Sequence, residues 1–211
     1  MHLVQILGAN GSGKSTLLRT LAVSDFGAHL THTSPILTVL PSYQLVLVGG
    51  YIGERFLKTP GVDRISSVDA QLAALRHATA MALSRAAGSS EDRWAVVWEG
   101  ITICNMQWHP RYLAHGLAPV YVMLATESEA SDIDLCFARI QTRSNKRRED
   151  LARNGATVLG KIGAVRNLMD WLPAQGALVL KLDPRKPAER LAEDIIGQLI
   201  TLRWGVPRHA G

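Results

Sequence analysis

Short apolar runs alternate with longer segments of helical periodicity along the chain. Five such runs are rich in Val, Ile and Leu: 3–7, 43–48, 94–98, 119–124 and 177–182. Runs of this length and composition are typical of strands that are buried on both faces of a parallel sheet. Because helical segments separate most of them, the pattern predicts an α/β fold with a doubly wound, mainly parallel five-stranded sheet flanked by helices.

One further apolar run, 36–40, is separated from 43–48 by Pro41-Ser42. Either or both of these runs can form strands, and we expect the second in the parallel core.

Helical periodicity is clear in three places. A first helix follows the first strand and is expected to end near Ser24 to Gly27, and a second runs from a cap at Ser67 to Gly88. The third, 188–202, is amphipathic.

The turn between the first strand and the first helix matches the pattern G-x-x-x-x-G-K-[ST] of a P-loop. Its glycines allow a tight turn, so that backbone N–H groups and the helix N-terminus can bind phosphate oxygens. We expect Lys14 to reach the β- and γ-phosphates of a nucleotide and Ser15 to ligate Mg²⁺. The expected nucleotide-binding residues are Gly8, Asn10, Gly11, Ser12, Gly13, Lys14, Ser15 and Thr16.

Length and composition favour one globular domain. The chain has 211 residues, of which 47% are hydrophobic and 19% charged, with no apolar run long enough to cross a bilayer. We expect a single domain over 1–204 and a tail at 205–211. Two cysteines are too few for a disulfide framework, and the first strand leads directly into the P-loop, so we expect a cytoplasmic protein.

The net charge of +5 is concentrated in one segment. Residues 139–153 contain six basic and two acidic side chains. A solvated helix face is the ordinary interpretation of such a segment. Next to a phosphate site, anion binding becomes the favoured alternative, and we expect a helical basic lid over about 137–153.

The other motifs select among P-loop proteins. The P-loop itself resembles that of ABC ATPases, but the chain has neither their Ser-Gly-Gly signature nor a strand ending in Asp-Glu, and no Asn-Lys-x-Asp of a GTPase is present. A kinase fits better, because Glu99 follows a buried strand at the sheet edge where such folds bind ligands. Arg139 and Arg143 have the R-x-x-x-R spacing seen in the lids of nucleoside and nucleotide kinases, which places both on one helical face.

Three segments carry a more specific resemblance: Val46-Leu47-Val48-Gly49-Gly50-Tyr51, Thr59-Pro60-Gly61-Val62-Asp63-Arg64-Ile65 and Val97-Trp98-Glu99-Gly100-Ile101. With the P-loop, they resemble the phage-encoded P-loop kinases of thymidine hypermodification over roughly Leu3 to Arg143. That resemblance implies ATP- and Mg²⁺-dependent phosphorylation of the 5-hydroxymethyl group of 5-hydroxymethyluracil in DNA, in the host cytoplasm.

The resemblance also implies roles for individual residues. Lys14, Glu99, Asp63, Arg139 and Arg143 would be catalytic, with Ser15 and Glu99 at the metal. Asp63 would lie near the acceptor and Glu99 near the water shell of Mg²⁺, although the two roles can be exchanged.

A modified base in a duplex must leave its stack before it can enter a pocket. Tyr51, Trp98 and Trp108 are therefore candidates to stack on it, and the ordinary alternative for each is a place in the core. By analogy with other P-loop kinases, Pro184 and Arg185 are candidates for the adenine contact.

Two other functions are compatible with the same sequence. A kinase for a free nucleoside or nucleotide would use the same residues, and the chain carries no recognisable DNA-binding motif. A P-loop ATPase switch or assembly factor would have water as its only acceptor.

Overall fold

The protein folds around one seven-stranded sheet. The computed structural model describes residues 2–53, 62, 65, 67–87, 94–100, 102–143 and 148–204, and the predicted tail at 205–211 lies outside them. The strands are β1 (His2–Leu7), β2 (His29–Leu30), β3 (Leu37–Leu40), β4 (Leu45–Val48), β5 (Ala95–Glu99), β6 (Ala118–Leu124) and β7 (Leu178–Leu182). The helices are α1 (Lys14–Ser24), α2 (Val68–Ala86), α3 (Trp108–Ala114), α4 (Glu129–Arg143), α5 (Arg148–Ala174) and α6 (Ala188–Trp204).

The strand order is β2-β3-β4-β5-β1-β6-β7. Five neighbouring strands are mutually parallel, which confirms the predicted parallel core: β4, β5, β1, β6 and β7. The predicted total of five strands is wrong, because β3 pairs antiparallel with β4 and β2 pairs antiparallel with β3. The second of these added strands has only two residues, too few to show any periodicity in the sequence.

Helices cover both faces of the sheet, as the doubly wound prediction requires. Apolar side chains of α2, α3 and α5 form one core with the sheet, and those of α1 and α6 form the other. A third, smaller cluster joins Ala9 of the P-loop to Cys136 of α4 and to Val158 and Ile162 of α5. The P-loop therefore rests directly on the α4–α5 pair.

The three helices expected from periodicity are present as α1, α2 and α6. At the start of α2, the Ser67 hydroxyl accepts a 3.1 Å hydrogen bond from the backbone N–H of Ala70, which confirms the predicted cap. The predicted lid segment, 137–153, corresponds to the end of α4 and the beginning of α5, and residues 144–147 lie outside the described part of the chain. Within the described residues, no helix has the length and apolar character needed to cross a membrane.

Candidate active site

The P-loop turn has backbone conformations that favour glycine. Gly11 and Gly13 have φ angles of +87° and +100°, in the left-handed region that other residues rarely adopt. A Cβ atom at Gly11 would lie 2.7 Å from the backbone oxygen of Cys136. The motif glycines are thus required both by the turn and by its close contact with α4.

The Lys14 side chain is bound to the loop that precedes it. Its Nζ donates hydrogen bonds to the backbone oxygens of Gly8, at 2.7 Å, and Ala9, at 3.1 Å. The side chain is buried, and the ammonium is held at the start of the P-loop. Since an ammonium has three donors, it can exchange one of these carbonyls for a phosphate oxygen.

Ser15 and Glu99 come together at the carboxyl edge of the sheet. The Ser15 hydroxyl donates a 2.7 Å hydrogen bond to Oε1 of Glu99. The pairing follows from the topology, because β1 and β5 are adjacent and Ile6 of β1 is in register with Glu99 of β5. Glu99 is only 2% exposed, so its carboxylate depends on donors within the protein.

Tyr51 supplies a second donor to the same carboxylate oxygen. Its phenol lies 3.3 Å from Oε1 of Glu99, and its side chain is fully buried. Its burial agrees with a place in the core, the ordinary alternative to base stacking for this residue. The contact with Glu99 has no signal in the sequence, because a turn rather than a strand or helix carries Tyr51.

The Arg139 guanidinium joins the P-loop to the loop after β7. Nη1 donates to the Ser12 backbone oxygen at 3.0 Å, and Nη2 donates to that of Pro184 at 2.6 Å. The residue is therefore next to the P-loop, as predicted, but its described hydrogen bonds are to backbone carbonyls. Arg143 follows one helical turn later at the end of α4, and its side chain is outside the described residues, as is Asp63.

A cavity of about 480 Å³ opens beside the P-loop. It is lined by Ser12, Gly13, Thr16, Leu17, Arg139, Thr142, Pro184, Arg185, Lys186, Pro187, Ala188 and Leu191. The two residues predicted for the adenine contact, Pro184 and Arg185, are thus in the wall of a cavity that also contains P-loop residues.

Carboxylates fix the side chain of Arg185 at this rim. It forms 2.6 Å ion pairs with Glu127 and with Asp183. The hydrogen bond from Arg185 is the main cause that lowers the pKa of Asp183. The arginine is consequently oriented before any ligand contact.

On the other side of the P-loop, two buried amides anchor the loops after β4 and β5. Nε2 of Gln5 donates to the Ile103 backbone oxygen at 2.9 Å. Nε2 of Gln71 donates to the backbone oxygen of Ile65 at 3.2 Å and to the hydroxyl of Thr102 at 3.1 Å. Ile65 is therefore held by α2, and Thr102 and Ile103 are held by α2 and β1, on the Glu99 side of the site.

Trp98 and Trp108 occupy the core, which is the ordinary alternative to base stacking that the sequence leaves open for both. Trp98 is fully buried and Trp108 is 2% exposed, and their ring centroids are 5.4 Å apart in an edge-to-face arrangement. Tyr112 completes the cluster, 5.7 Å from Trp98. These rings form part of the core that attaches α3 to the sheet.

Comparison with known proteins decides among the P-loop classes. A model of the family described as 5-hmdU DNA kinase matches residues 2–154, more than two thirds of the chain. The chain belongs to the 5-hmdU DNA kinase family. It is a phosphotransferase of the kinase type, and the matched region includes the P-loop, Glu99 and Arg139.

Two individual proteins are also similar. A protein of Pseudomonas phage M6 named 5-hmdU DNA kinase is 27% identical over 151 residues, which cover 68% of this chain and 73% of the relative. A gluconokinase from Sinorhizobium meliloti 1021 aligns over 100% of this chain and 98% of its own, with 12% identity and a TM-score of 0.46.

Proposed function

We propose that this protein transfers the γ-phosphoryl group of ATP, with Mg²⁺, to the hydroxymethyl group of 5-hydroxymethyluracil in DNA. The observation that carries the proposal is the 2.7 Å contact between Ser15 of the P-loop and Glu99, within the region that matches the 5-hmdU DNA kinase family. Phosphoryl transfer to an alcohol needs a phosphate site and a carboxylate in reach of each other, and this pair provides both.

The donor nucleotide would lie along the P-loop and in the adjoining cavity. Backbone N–H groups of residues 8–16 and the Lys14 ammonium would bind its phosphates. Its base and sugar would occupy the 480 Å³ cavity between the P-loop and the Pro184 loop, a volume in the usual range of small-ligand sites.

The residues around Ser15 fit a magnesium ion. Mg²⁺ in kinases takes few protein ligands and completes its shell with phosphate oxygens and waters. A hydroxyl hydrogen-bonded to a buried carboxylate fits that small donor set: Ser15 would be the ligand, and Glu99 would hold the water shell of the metal. When bound, the ion would neutralise charge on the transferring phosphoryl group.

The acceptor would approach from the side of the β4 and β5 loops. Glu99 or Asp63 would orient the acceptor hydroxyl and take up its proton. The strand order supports this placement, because β4 and β5 lie on one side of β1 and the cavity residues after β7 lie on the other. On the acceptor side, Gln5 and Gln71 hold Ile103 and Ile65.

The basic segment would serve as the lid of a single kinase domain over 1–204. Arg139 is positioned by two loops that line the donor cavity, and the four-residue spacing of Arg143 predicts the same helical face for it. With the lid closed over the phosphates, both arginines would offset charge in the transition state and keep water away from the reacting group.

An acceptor assay tests the proposal. The protein is incubated with γ-labelled ATP and, separately, with duplex DNA containing 5-hydroxymethyluracil, the same duplex with thymine, free 5-hydroxymethyldeoxyuridine monophosphate, or no acceptor. We expect label only in the modified duplex. Transfer to the free nucleotide alone would contradict the DNA proposal and favour a small-molecule kinase, whereas ATP consumption that ignores every acceptor would contradict both.

A further inference from the structure

Tyr51 shares its hydrogen-bond acceptor with the P-loop serine. Oε1 of Glu99 accepts from Ser15 at 2.7 Å and from the Tyr51 phenol at 3.3 Å, so neither bond uses Oε2. The longer contact is the weaker one in this arrangement, and hydrogen bonds of active sites commonly shorten when substrates bind. Together the two hydroxyls limit the rotation of the Glu99 carboxylate.

The backbone of Tyr51 is fixed by the antiparallel part of the sheet. The Thr38 hydroxyl, fully buried on β3, donates to the Gly49 backbone oxygen at 2.7 Å and accepts from the Tyr51 backbone N–H at 3.0 Å. One side chain thereby closes the turn that follows β4. Gly49 has a φ angle of +130°, which this turn requires.

We propose that Tyr51 is a positioning residue that orients Glu99 toward the metal, and that Thr38 holds Tyr51 in place for this purpose. The inference rests on the proposed role of Glu99 in the metal site. It gives a function to the β2–β3 extension, which lies outside the parallel core: the extension carries the hydroxyl that shapes the Tyr51 turn.

The central test is Tyr51→Phe, which removes the phenol hydroxyl and keeps the ring in the core. Binding of Mn²⁺ to the protein–ADP complex is followed by electron paramagnetic resonance, and metal-free ADP binding by calorimetry. We expect an approximately fivefold weaker Mn²⁺ affinity, which corresponds to the net contribution of about one hydrogen bond. The metal-free ADP affinity should be unchanged. In turnover, kcat should fall more than KM for ATP rises.

The matched control is Tyr43→Phe. Tyr43 comes just before β4, whereas Tyr51 comes just after it, so the two lie at opposite ends of this strand. The Tyr43 hydroxyl lies 3.1 Å from that of Ser24. This variant should bind both ADP and Mn²⁺ as the native protein does. A native Mn²⁺ affinity in Tyr51→Phe, or an equal loss of metal-free ADP affinity, overturns the proposal.

A double-mutant cycle tests whether Tyr51 acts through Glu99. In the Glu99→Gln background, Tyr51→Phe should cause no further loss of Mn²⁺ affinity, because the oriented carboxylate is already gone. A full, additive fivefold loss would overturn the proposal. The Mn²⁺ and ADP binding measurements, on the single variants and in the cycle, contain no acceptor. They therefore remain decisive if the DNA assay contradicts the proposed substrate.

Variants of Thr38 test the support of the turn. Thr38→Ser keeps the hydroxyl and should retain native Mn²⁺ affinity, whereas Thr38→Val keeps the shape and should resemble Tyr51→Phe. Circular dichroism checks that both variants are folded. Equal Mn²⁺ affinities in the two folded variants would overturn the role of Thr38.

Discussion

The hydroxyl of Ser15 donates a 2.7 Å hydrogen bond to Oε1 of Glu99, and this bond connects the first turn of α1 with the end of β5. The two residues are 84 positions apart in the chain. Their contact makes the phosphate loop and the buried carboxylate one structural unit.

Glu99→Gln should separate chemistry from nucleotide binding. The amide has nearly the shape of the carboxylate but lacks its charge, so in the proposed site it would orient metal-bound water poorly. We expect kcat to fall by about 10- to 100-fold, typical for loss of a partner of a metal site, with metal-free ADP affinity nearly native. Steady-state kinetics and calorimetry measure the two effects, and a native kcat would contradict the role of Glu99.

Arg139→Lys should weaken ATP binding although it preserves the charge. The guanidinium spans the carbonyls of Ser12 and Pro184, which a single ammonium cannot do at once. Loss of one such charged hydrogen bond corresponds to a rise in KM for ATP of about tenfold. As the control, Arg190→Lys alters an exposed ion pair with Glu193 outside the cavity and should leave KM unchanged. Equal KM values in the two variants would contradict this prediction.

Gly11→Ala should destabilise the protein, whereas Gly160→Ala should stabilise it. Alanine at Gly11 adopts a left-handed φ at a cost of about 1–2 kcal/mol, and its Cβ would also collide with the Cys136 backbone. Gly160 lies on an exposed part of α5 with no atom within 4 Å of an added Cβ, so alanine should raise the free energy of unfolding by about 0.8–1 kcal/mol. Urea titrations of both variants measure these opposite changes.

His109 should make the stability depend on pH. Its Nδ1 lies 2.9 Å from the Tyr121 hydroxyl, and burial lowers the pKa of the imidazole below its ordinary 6.5. The unfolded chain therefore binds more protons than the folded one just below pH 6.5, and stability falls as the pH decreases through that value. His109→Gln should reduce the difference in free energy of unfolding between pH 7 and pH 5, measured in urea. A difference equal to that of the native protein would show that His109 does not contribute.

The parallel core and the Ser15–Glu99 pair were predictable because local signals determine them. The P-loop defines the end of β1, and an apolar strand ending in an acid defines β5. Carboxyl ends of parallel strands meet at one edge of a sheet, so their contact follows from topology.

Other features depend on tertiary contacts and were missed or misassigned. The short helix α3 has only seven residues, too few for a clear helical period, so the sequence does not predict it. The 27-residue α5 contains Gly155, Gly160, Gly163 and Pro173, which weaken its helical signal.

The Tyr51–Glu99 contact depends on a turn closed by a side chain of β3, for which the sequence has no periodic signal.

With ATP and DNA placed as proposed, the strand order also determines how the two substrates would meet. The Pro184 loop of the proposed ATP cavity follows β7, and the proposed acceptor side lies beyond β4; four strand spacings, about 19 Å, separate these strands. Both molecules would then occupy the enzyme together, in a ternary complex that allows direct transfer without a phosphorylated enzyme. Double-reciprocal plots at several fixed concentrations of the second substrate should intersect, and parallel lines would indicate a ping-pong pathway instead.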